Sequence, residues 1–303
     1  MKTVFARSVP VFFLSILINL FQPSANSLLS FGQDASVLVV VMAFFIAWGV
    51  CWLPIGTFLA IALSWHPNKP LPPEQKLPIL VSLYLLAPLI VWGIAWLTNT
   101  SLLDYGLVKN ISILASLGQG FSLGVLGLAV VFLFQWASGW CSFQSSNPVE
   151  TRAIALTVQT VLLPILFIAL FVGGIEELVF RGFLFTELNH DYSVWAAAVV
   201  SSIVFAVLHL IWEQQETIPQ LPGLWLMGMV LVLARFVDGG CLGLAWGLHA
   251  GWVWAIACLD TAQLVTYTGK VSEWVTGKNQ KPLAGVAGIV CLLLTGVVLW
   301  IFS

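Results

Sequence analysis

Charge is scarce in this chain: Asp, Glu, Lys and Arg together make up only 8% of 303 residues, and the net charge is −2. With no basic excess, nucleic-acid binding is set aside. The five cysteines, Cys51, Cys141, Cys241, Cys258 and Cys291, are scattered and nowhere form a CxxC pair, so they read as buried, inert thiols rather than a zinc or redox site. An HExxH helix is also missing, which excludes a zincin site. Only four histidines occur: His66, His190, His209 and His249. No strand-like alternation of polar and apolar residues runs through the chain, which argues against a membrane β-barrel.

Apolar residues are abundant instead. They make up 60% of the chain, with 15 Trp and a mean hydropathy of +1.00, more than a soluble domain of this size can hide in its core. A helical span needs about 20 mostly apolar residues. Such blocks lie near 37–65, 77–97, 111–140, 153–173, 193–212, 223–237, 242–259 and 283–302. The expected fold is therefore an all-α polytopic transmembrane bundle, a multi-pass integral membrane protein of eight spans. An apolar run at 9–21, read as a retained segment rather than a cleaved signal, makes nine. Trp65, Trp140, Trp212 and Trp274 fall at span ends, as an aromatic belt does. Lys2 with Arg7, and Lys69 with Lys76, favour the cytoplasmic side for the N-terminus and for the hinge at 66–78; the side on which the functional face opens stays undecided.

A polar hinge at 142–152 divides the chain into scaffold helices (1–150) and a second half (151–303) that holds the residues of chemical interest. Glu176, Glu177 and Arg181 stand together in apolar surroundings, where ionisable groups are costly unless paired and so mark function. Residues four apart share a helix face, so Glu177 and Arg181 can pair, leaving Glu176 turned elsewhere without a local partner. A desolvated acid of this kind can take and return a proton, which makes Glu176 a candidate general base. His209 follows in the next span with Phe205 one turn before it. His249 lies later, on a helix whose Gly243, Gly247 and Gly251 form a small-residue ridge for close packing. From Gly247, His249 is rotated about 200°, away from that ridge and free to face a cavity. Glu176, His209 and His249 can converge on one buried polar pocket that holds a water.

The ordered set EExxxR (Glu176, Glu177, Arg181), FxxxH (Phe205, His209) and a later intramembrane His (His249) resembles the CPBP family of intramembrane proteases. That family includes the type II CAAX prenyl endopeptidases and the bacteriocin-processing or abortive-infection proteins. The resemblance covers roughly 153–259. It implies that Glu176 and His209 activate a water for peptide hydrolysis, that Glu177, Arg181 and Phe205 shape the site, and that His249 helps to stabilise the oxyanion. Family members often carry Asn four residues after the last His, whereas this chain has Val253, which cannot donate a hydrogen bond. Another donor must replace it, or the protein is a weak or inactive member.

The implied activity is an endopeptidase acting on a membrane-associated or hydrophobic peptide, with membrane lipid and that peptide or protein as its partners. Catalysis needs no cofactor in this reading; a divalent metal such as zinc, held by Glu176, His209 and His249, is the alternative. Two other functions stay open, a silent membrane scaffold or processing partner and a proton-coupled transporter using Glu176. Arg235 and Asp238, three apart at a span end, read as an interfacial ion pair.

Overall fold

The computed structural model describes residues 35–65, 72–143, 158–211, 214–301 and 303. The apolar run at 9–21, Trp212 and the division at 150 lie outside the described residues. Helices α1 (Val37–Ala62), α2 (Pro73–Leu97) and α3 (Ser112–Ala137) come first, followed by a short strand β1 (Cys141–Phe143). Then come α4 (Leu163–Glu176), a π-helical stretch (Glu177–Leu184) and α5 (Phe185–Asp191), which run on as one continuous rod. Helices α6 (Val194–Leu208), α7 (Gln214–Thr217), α8 (Leu221–Val237) and α9 (Gly243–Thr261), strand β2 (Val265–Tyr267), α10 (Glu273–Thr276) and α11 (Val286–Ile301) complete the order.

Six of the described helical stretches are long and apolar enough to cross a membrane. The multi-pass helical bundle expected from composition is thus the observed fold. Its outward faces carry Met42, Phe58, Leu89, Phe167 and Trp300, all exposed, as suits helices solvated by lipid. Two of the eight expected spans, at 242–259 and 283–302, form α9 and α11 but are not among the six, and the fourth span is longer than expected. The fourth span does not stop at Gly173 but continues to Asp191, because the charges that looked like a span end are satisfied inside the bundle.

Two glycine contacts position the later helices. A Cβ at Gly247 would overlap the Leu117 carbonyl, and one at Gly120 would overlap that of Leu244, so α3 and α9 touch backbone to backbone. The ridge on α9 therefore faces α3 and turns His249 the other way, towards α4. Against α4, Gly174 leaves room for the Trp246 ring, which would lie 2.6 Å from an added Cβ. Trp246 Nε1 then donates to Leu170 O at 2.7 Å, and Trp254 Nε1 to Leu162 O at 3.0 Å. These bonds fix the register of α9 on α4. Beyond the bundle, β1 pairs antiparallel with β2 and ties the ends of α3 and α9 together.

Candidate active site

Glu176 ends α4 and Glu177 opens the π-helical turn, a widened winding that recurs at functional sites. Glu177 is fully buried, and its Oε1 accepts from Arg181 Nη1 at 3.0 Å and from His249 Nδ1 at 2.8 Å. A buried carboxylate needs such partners, because stranding it away from water costs several kcal/mol. The guanidinium of Arg181 lies 4.2 Å from the centre of the Phe205 ring. The expected Glu177–Arg181 pair is present, and Phe205 is its floor.

Glu176 meets side chains of two other helices. The Tyr84 hydroxyl donates to its Oε1, and His249 Nε2 stands 3.5 Å from its Oε2. Tyr84 comes from α2, 92 positions away, so the first half supplies more than hydrophobic scaffold. A single Tyr in an apolar span carries no motif, and only the tertiary packing of α2 against α4 reveals its role.

His209 sits in a short 3₁₀ turn at the end of α6, with Nδ1 2.8 Å from Phe205 O. A carbonyl can only accept, so Nδ1 carries the proton and a neutral ring keeps its lone pair on Nε2. His209, Glu176 and Tyr84 line one cavity of about 500 Å³, whose apolar walls include Phe45, Trp48 and Trp52 of α1 and Leu208 of α6. The other expected residues, Glu177, Arg181, Phe205 and His249, pack behind this wall rather than on it. His249 faces a carboxylate through each ring nitrogen, so it braces the Glu pair and is not placed as a cavity donor. Val253, one turn further along α9, is half-buried and also off the cavity wall.

Among the described residues, no three His, Cys, Asp or Glu side chains are arranged to hold a metal ion. His209 lines the cavity whereas His249 packs behind its wall, so the two imidazoles do not meet Glu176 around one point. The set Glu176, His209 and His249 does not fit zinc, and no chemistry is routed through one.

Two further readings are corrected. Arg235 and Asp238 do not pair with each other. Arg235 donates to Gly240 O at 3.0 Å, Thr186 Oγ1 at 2.9 Å, Asp104 O at 3.3 Å and Arg181 O, while Asp238 accepts from Ser116 Oγ at 2.7 Å and Leu244 N at 3.0 Å. Backbone groups at the bundle end outcompete the side-chain pair. Among the cysteines, four are buried and free, but Cys51 is exposed on α1.

Acids and imidazoles thus gather beside a cavity within a bundle of apolar helices and form a buried polar site. Residues 158–255 match the family model described as Type II CAAX prenyl endopeptidase Rce1-like, which supports the resemblance to the CPBP family over this segment. The match spans Glu176, Glu177, Arg181, Phe205, His209 and His249, and leaves α1 to α3 outside it. No curated protein and no solved structure matches the chain.

Proposed function

We propose that this protein is an intramembrane endopeptidase that cuts a peptide bond of a membrane-associated or hydrophobic peptide with a water activated by Glu176 and His209. One observation carries the reading: the Glu176 carboxylate and the His209 ring line the same cavity, inside apolar walls that suit a lipid-soluble segment. The water oxygen attacks the scissile carbonyl carbon as its proton passes to Glu176, with His209 Nε2 accepting a hydrogen bond that orients it. Collapse of the tetrahedral intermediate breaks the C–N bond, and the proton held by Glu176 goes to the leaving amine. Excluding bulk water strengthens each of these interactions.

Cleavage of an apolar peptide in proteoliposomes tests the proposal. Glu176→Gln is expected to lower kcat by about 10² to 10⁴-fold, and His209→Ala by a similar factor. Wild-type turnover in Glu176→Gln sinks the assignment. Activity is also expected to survive a chelator, because the residues around Glu176 do not suit a metal.

Val253 favours a second reading, a non-catalytic processing partner, because the donor often found at that position is missing. In that case Glu176→Gln protein restores a cellular phenotype as well as the wild type does.

A further inference from the structure

Hydrolysis of an amide builds negative charge on the carbonyl oxygen, and a donor must face it at that moment. Val253 has none to give, and His249, bound through Nδ1 to Glu177, packs behind the cavity wall with Nε2 turned to Glu176. On the cavity wall the side-chain donors are Trp48, Trp52, Tyr84 and His209. Trp48 Nε1 is committed to Leu83 O at 2.9 Å, Trp52 Nε1 to Ser82 Oγ at 3.0 Å, and His209 Nδ1 to Phe205 O at 2.8 Å. None of those acceptors changes charge during the reaction. Tyr84 differs, because its hydroxyl donates to Glu176, the group that receives the proton.

We propose that Tyr84 is the oxyanion donor, released to the substrate by protonation of Glu176. This rests on the reading of Glu176 as the base. Before attack, the phenol O–H is held by the carboxylate, a strong acceptor. As the water gives its proton to Glu176 and its oxygen bonds to the carbonyl carbon, the carboxylate becomes a neutral acid and a weaker acceptor. In the same step the carbonyl π pair becomes an oxyanion, the stronger acceptor, and the Tyr84 hydrogen bond passes to it. No proton leaves Tyr84 at any point. When the C–N bond breaks, the carbonyl re-forms, the amine takes the proton from Glu176, and Tyr84 returns to the restored carboxylate. The site thus gives one hydroxyl two acceptors in turn, and a helix outside the family match completes the chemistry.

The test compares wild type, Tyr84→Phe and Glu176→Gln in proteoliposomes, on an apolar peptide that the wild type cleaves, with kcat and KM measured across pH. Tyr84→Phe removes one oxygen and is expected to lower the plateau kcat on the order of 10² to 10³-fold, with KM little changed. A kcat within a few-fold of wild type overturns the proposal. So does a shifted acidic limb with the plateau kcat intact, since Tyr84 then only holds Glu176. If Tyr84→Phe fails to fold, 3,5-difluorotyrosine at position 84 keeps the shape and strengthens the donor, and an unchanged kcat overturns the proposal. Inactive Glu176→Gln beside active Tyr84→Phe removes this inference alone, whereas active Glu176→Gln removes the protease reading itself.

Discussion

The Arg181 guanidinium lies 4.2 Å from the centre of the Phe205 ring, and that contact joins the EExxxR stretch on one helix to the FxxxH stretch on another. The same ring meets His209 edge-on at 4.6 Å and His249 at 5.9 Å. Phe205 is therefore the common neighbour of a cation and two imidazoles, and an aromatic face suits that place because it attracts positive charge without requiring a hydrogen bond. Phe205→Leu keeps an apolar side chain and removes the ring face. It is expected to destabilise the protein by about 2 kcal/mol, read as a lower unfolding temperature in detergent, and to reduce turnover.

The two adjacent acids are expected to behave oppositely on truncation. Glu177→Ala strands Arg181 and His249 in a buried site and should cost about 3–5 kcal/mol of stability. Glu176→Gln keeps its shape and can still accept from Tyr84, so its unfolding temperature should stay near the wild-type value while activity is lost. Thermal unfolding of both purified variants decides this, and equal melting shifts would contradict the division of labour.

Space at glycine offers a second contrast. Gly49 lines the cavity with open room beside it, whereas Gly247 is pressed against Leu117 and Phe121. Gly49→Phe should fold normally and lower kcat/KM by about tenfold or more by filling the substrate space, in line with the steep dependence of rate on correct placement. Gly247→Val should instead cost about 1–3 kcal/mol or more, because α3 cannot retreat without losing its whole contact with α9. Kinetics and melting measured on both variants separate the two effects.

Charge at the two ends of the bundle fixes an expected orientation. Lys76, at the start of α2, shares an end with Lys270, Lys278 and Lys281, because α2 and α4 run in parallel while α9 runs against them. The opposite end carries Lys109 between α2 and α3. By the excess of Lys on cytoplasmic loops, the end with the β1–β2 pair is expected to face the cytoplasm. In a Cys-free background, a cysteine placed at Ser272 should be labelled by an impermeant reagent only from that side, and one at Lys109 only from the other.

Much of the bundle could be read from the chain because span formation is a local property: about 20 apolar residues suffice, whatever the neighbours. The Glu177–Arg181 pair was legible for the same reason, being set by helical spacing. The direction of His249 followed from its angle to Gly247. Tyr84 escaped notice because its link to Glu176 crosses 92 positions and depends on how α2 leans on α4. Arg235 and Asp238 depart from their expected pairing because spacing shows which side chains can meet but not which backbone groups compete for them. Glu176 meets α2 and α9 across the fold, contacts that helical spacing alone does not show.

Arg235 draws together Asp104 from the segment after α2, Arg181 and Thr186 from the long central rod, and Gly240 from the turn before α9. Three pieces of chain thus share one guanidinium at the end of the bundle away from His209. In mechanical terms that end is a clasp. The clasp and the cavity that His209 lines thus stand at opposite ends of the same set of helices.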